Sequence, residues 1–149
     1  MKFAKVGLVL AASALALGAC SKGGDINHGG KVVLPGGGST LSKQVPANLP
    51  DYVKVYPGAV VTAVMDNGAR GGVITFDVSD PPDTVVAFYK KTAADAKLDS
   101  GMDSWSLNQD HSGPHVMMFD KAGTHRSLSA SVEVKDGKTH VGLIYGGAV

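Results

Sequence analysis

The sequence of 149 residues holds a single cysteine, Cys20, so no disulfide can form within one chain. No apolar run is long enough to cross a membrane as a helix, because the longest, from Val6 to Ala19, has roughly 14 residues and a span needs about 20. Basic residues are not in excess either, since 14 Lys and Arg stand against 13 Asp and Glu. This balance argues against a nucleic-acid partner and against polybasic binding to a membrane surface.

The common catalytic motifs are also missing. There is no G-x-S-x-G nucleophile elbow, and the glycine clusters at 36–38 and 71–72 lack the lysine and the strand-to-helix setting of a phosphate loop. Asp110, His111 and Ser112 are neighbours in sequence, which seldom brings three side chains into catalytic reach. We therefore expect no enzymatic activity. A small hydrolase that uses His111 and Ser112 is the weakest of the alternatives.

The N-terminus has the pattern of an export signal. Lys2 and Lys5 precede the apolar run, which ends in Leu17-Gly18-Ala19-Cys20. These four residues resemble the lipobox of bacterial lipoproteins. The resemblance implies that residues 1–19 are a signal peptide, that cleavage occurs before Cys20, and that Cys20 receives a diacylglycerol and an N-acyl chain. These acyl chains are the only covalent groups that we expect on the protein.

The same resemblance predicts where the protein resides. Several acyl chains on one residue hold a protein firmly, whereas a single myristoyl chain binds only marginally. Ser21 follows Cys20, and in lipoproteins of Gram-negative bacteria a residue other than Asp at this position usually accompanies transport to the outer membrane. We expect a protein anchored in the outer membrane of the cell envelope and facing the periplasm.

Glycine content divides the remaining chain. Residues 20–47 are rich in glycine and poor in large apolar side chains, which predicts a flexible tether behind the lipidated cysteine. A short strand at 31–34 is an open alternative within it. Residues 48–149 have the length and the apolar content of one domain.

Hydrophobic periodicity in this domain predicts an α+β fold, an antiparallel sheet with the order β-β-α-β-β-β-β and one helix packed on one face. Asp80-Pro81-Pro82-Asp83 indicates the start of the helix, with Ser79 or Asp80 as its cap, and Gly101 its stop. The clearest alternation points Leu128, Ala130, Val132 and Val134 inward. The predicted helix covers 80–98, and the predicted strands cover 59–65, 72–79, 105–109, 115–120, 126–134 and 139–145.

Three segments of the domain resemble a group of small exported bacterial proteins of unknown function. They are Tyr56-Pro57-Gly58-Ala59, Val73-Ile74-Thr75-Phe76, and the helical segment from Val86 to Lys91, in which Ala87-Phe88-Tyr89 matches an "AFY-K" pattern. The resemblance covers roughly residues 49–145 and implies the sheet-and-helix plan, without an activity. In that group the helix is often followed by the pair Gly-Trp. The chain departs from this pattern, because Met102-Asp103-Ser104 separates Gly101 from Trp105.

One histidine pair is a candidate metal site. His111 and His115 flank Ser112-Gly113-Pro114, and Met117 and Met118 follow, so imidazole and thioether ligands for a soft metal are close in sequence. Strand alternation places the two methionines on opposite faces, however, and we therefore expect no metal and no cofactor. The prediction is a non-catalytic binding or structural protein with an envelope protein as its partner, and a periplasmic metal-binding protein using His111 and His115 is the first alternative.

Overall fold

The computed structural model describes residues 32–33, 39–105 and 113–146. All strand pairs in these ranges are antiparallel, and the strands form one sheet in the order β1-β2-β3-β4-β8-β7-β6-β5. The α+β class predicted from the sequence is confirmed. The elements in chain order are β1 (Val32–Val33), β2 (Thr40–Ser42), β3 (Val60–Asp66), β4 (Gly71–Val78), α1 (Pro82–Asp95), β5 (Asp99–Trp105), β6 (His115–Asp120), β7 (Ser127–Lys135) and β8 (Lys138–Gly146).

The core lies between one face of the sheet and α1. Alternate residues of β4, β7 and β8 point to this face, and a segment that precedes β3 closes it with Tyr52, Val53 and Tyr56. From the helix, Val85, Val86, Tyr89, Thr92 and Ala93 are buried against it. The predicted inward direction of Leu128, Ala130 and Val132 on β7 is confirmed. The largest fully buried side chains are Tyr52, Tyr89, Phe76, Ile74, Met117, Leu128 and Leu143.

The predicted burial of one core residue, Val134, is wrong. Val134 shares the alternation of Leu128, Ala130 and Val132, yet it is 59% exposed, whereas those three are buried. It lies next to the turn at the end of β7. Alternation sets the direction of a side chain in a strand, but it does not determine whether another element covers that side chain.

The helix begins and ends differently from the prediction. Pro81 is the residue before the first turn, and no side chain caps it. The expected cap, Asp80, is engaged elsewhere, because its carboxylate accepts a hydrogen bond from the Tyr56 hydroxyl and its carbonyl accepts one from Thr139. The helix ends at Asp95 rather than near Leu98.

The C-terminal end of α1 is a Schellman motif built on lysine. Lys97 has a φ of 57°, its N–H donates to the Ala94 carbonyl, and the Leu98 N–H donates to the Ala93 carbonyl. Leu98 and Ala93 are both buried, which supplies the apolar contact that accompanies this motif. Gly101, the predicted stop, lies instead inside β5.

Strands β2 and β5 fall outside the predicted positions, and β1 lies where a short strand at 31–34 was an open alternative. Thr40–Ser42 pairs with β3, and Val32–Val33 pairs in turn with β2, so the sheet extends into the segment 20–47 that was predicted to be a tether. Strand β5 covers Asp99–Trp105, whereas the prediction placed this strand at 105–109. Its polar sequence shows no apolar alternation because β5 is an edge strand and is exposed along most of its length. Among the described residues, no helix has the length and the apolar character needed to span a membrane.

Candidate functional site: the open face of the sheet

The sheet face opposite α1 is the largest uncovered feature of the described structure, and we call it the open face. Side chains that point to this face from β2 to β8 are half-buried or exposed, whereas those of the opposite parity in the central strands are buried. Three rows of side chains cross the strands on the open face. Their composition differs from row to row.

The first of these is an apolar row. Strand register aligns its members side by side across seven strands, and only one of them, Ser129, is polar. Ile144 is 58% exposed, Met118 is 47% exposed and Met102 is 46% exposed. Such a continuous line of exposed apolar groups is unusual on a solvated sheet face. In spatial order the apolar row is Leu41, Met65, Val73, Ile144, Ser129, Met118 and Met102.

The second row consists mostly of small side chains. Thr75, Gly142, Ser131 and Val116 are register neighbours across β4, β8, β7 and β6. A Cβ atom added to Gly142 would meet no atom within 4 Å, so the centre of the face is open above this glycine. The small side chains form the floor of a groove of about 410 Å³.

The third row lies at one end of the groove and is polar on β4, β8 and β7, while its member on β3 is Val60, which is 67% exposed. Asp77, His140 and Glu133 are register neighbours on β4, β8 and β7. The His140 Nδ1 atom is 2.6 Å from Asp77 Oδ1, although this contact does not have the alignment of a hydrogen bond. The His140 Nε2 atom lies 3.2 Å from the Lys135 carbonyl, to which it donates. Both ring nitrogens are therefore occupied by contacts within the chain.

A second histidine, His115, lies on the helix side of the sheet and is 5% exposed. Its Nε2 atom is 2.6 Å from Asp103 Oδ1, and the other carboxylate oxygen of Asp103 is 2.5 Å from Lys90 Nζ on α1. Hydrogen bonds from Lys90 and then from His115 lower the pKa of Asp103 below its usual value. The ring of Trp105 lies 4.4 Å from the His115 ring, measured between centroids. The His115 Nδ1 atom has no hydrogen-bond partner among the described residues.

The structure places the predicted site residues in different regions. His115 is buried in this ion-pair network, while His111, Ser112, Asp110 and Cys20 lie outside the described residues. The opposite orientation of Met117 and Met118 is confirmed, since Met117 is fully buried and Met118 is on the open face. No cluster of three metal-binding side chains occurs in the described parts of the chain.

Sequence reasoning missed the open face as a site. Each strand contributes only one or two apolar residues to the apolar row, and none of these segments is unusual when considered alone. The row exists because the register aligns residues far apart in sequence, such as Val73 with Ile144 and Ser129 with Met118. One sequence feature could have indicated it. Val73 and Ile144 are apolar, although they alternate with the buried residues of their strands and therefore point away from the core.

The chain was also compared with known proteins. No family model matches it, and no curated protein or solved structure matches it either.

Proposed function

We propose that this protein is a lipid-anchored protein of the bacterial cell envelope, attached to the outer membrane through Cys20, whose folded domain acts by binding another protein rather than by catalysis. The observation that carries the binding role is the open face with its exposed apolar row. Ile144, Met118 and Met102 are all close to half exposed or more, although they belong to one aligned row.

The dimensions of the row fit a protein contact. Seven strands at about 4.8 Å spacing give it a length of about 29 Å. Soluble proteins rarely expose contiguous apolar patches of several hundred Å², and larger patches rimmed by polar groups mark interaction sites. Beyond the second row of small side chains, Asp77, His140 and Glu133 supply a polar rim on that side of the face.

Two of the histidines in the described residues, His140 and His115, are engaged within the fold and support binding over catalysis. A general base needs a ring nitrogen that can reach a substrate proton. Both nitrogens of His140 are engaged by the chain, and His115 is buried with its Nε2 atom on Asp103.

The anchoring part of the proposal rests on the sequence Leu17-Gly18-Ala19-Cys20. Attachment to the membrane would confine the domain to the periplasmic side and raise its effective concentration near envelope partners. The role of the anchor and the role of the open face can be tested together, because one requires Cys20 and the other requires the residues of the apolar row.

The test uses a photo-reactive amino acid at Ile144 of the full chain, expressed in intact bacterial envelopes. We expect cross-links from position 144 and far fewer from position 134, a matched control of equal exposure on the opposite parity. Cys20→Ala should abolish acyl labelling and release the protein from membranes, while Ser21→Ala should leave both unchanged. Membrane retention of Cys20→Ala without acyl labelling of the native chain would refute the anchor, and equal cross-linking from 134 and 144 would refute the open face.

A further inference from the structure

We infer that the open face binds the open face of a second copy of this chain, about a two-fold axis that runs parallel to the two central strands, β4 and β8. This inference rests on the proposed binding role of the open face and names its partner. Face-to-face packing of two antiparallel sheets at about 10 Å is a common way to cover such surfaces.

The strand order determines which strands meet. Because β4 and β8 are the fourth and fifth of eight strands, an axis between them reverses the order across the sheet. Strand β4 then faces β8 of the partner subunit, β3 faces its β7, and β2 faces its β6. Two-fold symmetry makes each of these contacts occur twice.

Apolar residues meet one another in this arrangement. Val73 faces the partner's Ile144, and Leu41 faces the partner's Met118, because each pair lies at the same distance from the axis in the apolar row. The one polar member, Ser129, faces the partner's Met65. The exposed fraction of Ile144, 58%, would fall the most at the centre of the contact.

The residues of the second and third rows also fit the proposed two-fold arrangement. Thr75 faces the partner's Gly142, whose open surroundings leave room for the threonine side chain. In the third row, Asp77 faces the partner's His140 and Glu133 faces the partner's Val60.

The area is sufficient for a stable dimer. By strand register, the three rows have seven, six and four positions, because the second row extends to Ala63 and Ser104 and the third to Val60. At about 4.8 Å by 6.7 Å for each position, this gives about 550 Å² on each copy. The total of about 1,100 Å² exceeds the roughly 1,000 Å² that a specific interface needs.

The orientation also suits two anchored chains. Rotation about an axis parallel to the strands preserves strand direction, so Thr40 lies at the same height along the axis in both copies. The chains that lead back to the two Cys20 residues therefore start at the same level, and both can reach one membrane. An axis along the apolar row would place them at opposite ends.

The test measures the mass of the full chain in density-matched detergent by analytical ultracentrifugation over a range of concentrations. We expect a dimer for the native chain. Ile144→Glu should raise its dissociation constant about 30-fold or more, because a buried carboxylate at the centre removes a hot spot. Val134→Glu is the matched control and should leave the dimer unchanged. A native chain that stays monomeric, or a dimer that survives Ile144→Glu, would overturn the inference.

Cross-linking with a short bismaleimide tests the axis. We expect Ile144→Cys to form cross-linked dimers and Met102→Cys to form few, since two copies of residue 102 lie at opposite ends of the interface. Efficient cross-linking of Met102→Cys would overturn the proposed axis. The native chain controls for Cys20, and a free thiol there would contradict lipidation without bearing on the dimer. Likewise, a monomer that still cross-links to other envelope proteins through position 144 would leave the proposed function standing.

Discussion

His115 shows how a single residue can be assigned to the correct face and the wrong environment. Strand alternation predicted that Met117 and Met118 lie on opposite faces, and His115 shares the buried face with Met117 and Phe119. Alternation did not predict the partner, because Asp103 lies on an edge strand whose polar sequence gave no strand signal. The side chains meet because β5 pairs with β6, which brings Asp103 and Lys90 to the histidine.

The ion-pair network of Asp103 should make stability depend on pH. Since Lys90 and His115 lower the pKa of Asp103 in the folded state, its carboxylate stabilises the fold at pH values above the unfolded pKa. That contribution is lost as the pH falls through the lowered, folded-state pKa. Asp103→Ala should lower the free energy of unfolding by about 1–3 kcal/mol at neutral pH, the cost of an unpaired buried polar group at His115.

Urea denaturation of the two proteins between neutral and strongly acidic pH measures this effect. The difference between them should shrink as Asp103 becomes protonated. Asp95→Ala is the control, because the exposed Lys91–Asp95 pair should contribute less than about 0.5 kcal/mol. A constant difference at all pH values would contradict the assigned role of the carboxylate.

Among the elements, prediction succeeded where the local signal and the packing agree. Strands were predicted at 126–134 and 139–145, and they join at Asp136-Gly137, where both residues have the positive φ, 52° and 74°, that a two-residue turn requires. The end of α1 could not be predicted, because Lys97 adopts a positive φ without being glycine. Tertiary contacts of Leu98 and Ala93 offset the strain there, and no sequence rule records them.

Two glycines on adjacent central strands provide a test of how the faces are packed. A Cβ atom at Gly72 of β4 would lie 2.5 Å from the Met65 carbonyl oxygen and 2.7 Å from the Tyr145 hydroxyl. Gly72→Ala should therefore cost about 1–3 kcal/mol of stability through overpacking. Gly142→Ala, on the open face of β8, should be neutral or should stabilise the chain by up to about 1 kcal/mol.

Thermal or chemical unfolding of the two variants measures both effects, and each variant is the control for the other. An equal loss of stability in both, measured at a concentration where the chain is monomeric, would mean that another part of the same chain covers Gly142. That result would contradict the description of the open face.

The fold class, the position of α1 and most strand positions in the described residues follow from the sequence, because apolar periodicity records which side of each element is buried. The arrangement of side chains on the open face does not follow from apolar periodicity. An aligned row such as Met65, Val73 and Ile144 depends on strand order and register, which here join β4 to β8 across more than half of the domain. The open face is consequently visible only once the sheet is assembled.

The native methionines allow the most direct test of a protein that acts through its open face. Mild peroxide oxidation of intact envelopes reports the accessibility of Met102 and Met118, which are 46% and 47% exposed, while the fully buried Met117 serves as an internal standard. We predict that Met102 and Met118 are oxidised several-fold more slowly in the native protein than in Ile144→Glu, with Met117 unmodified in both. Equal and rapid oxidation of Met102 and Met118 in the two proteins would contradict a covered face.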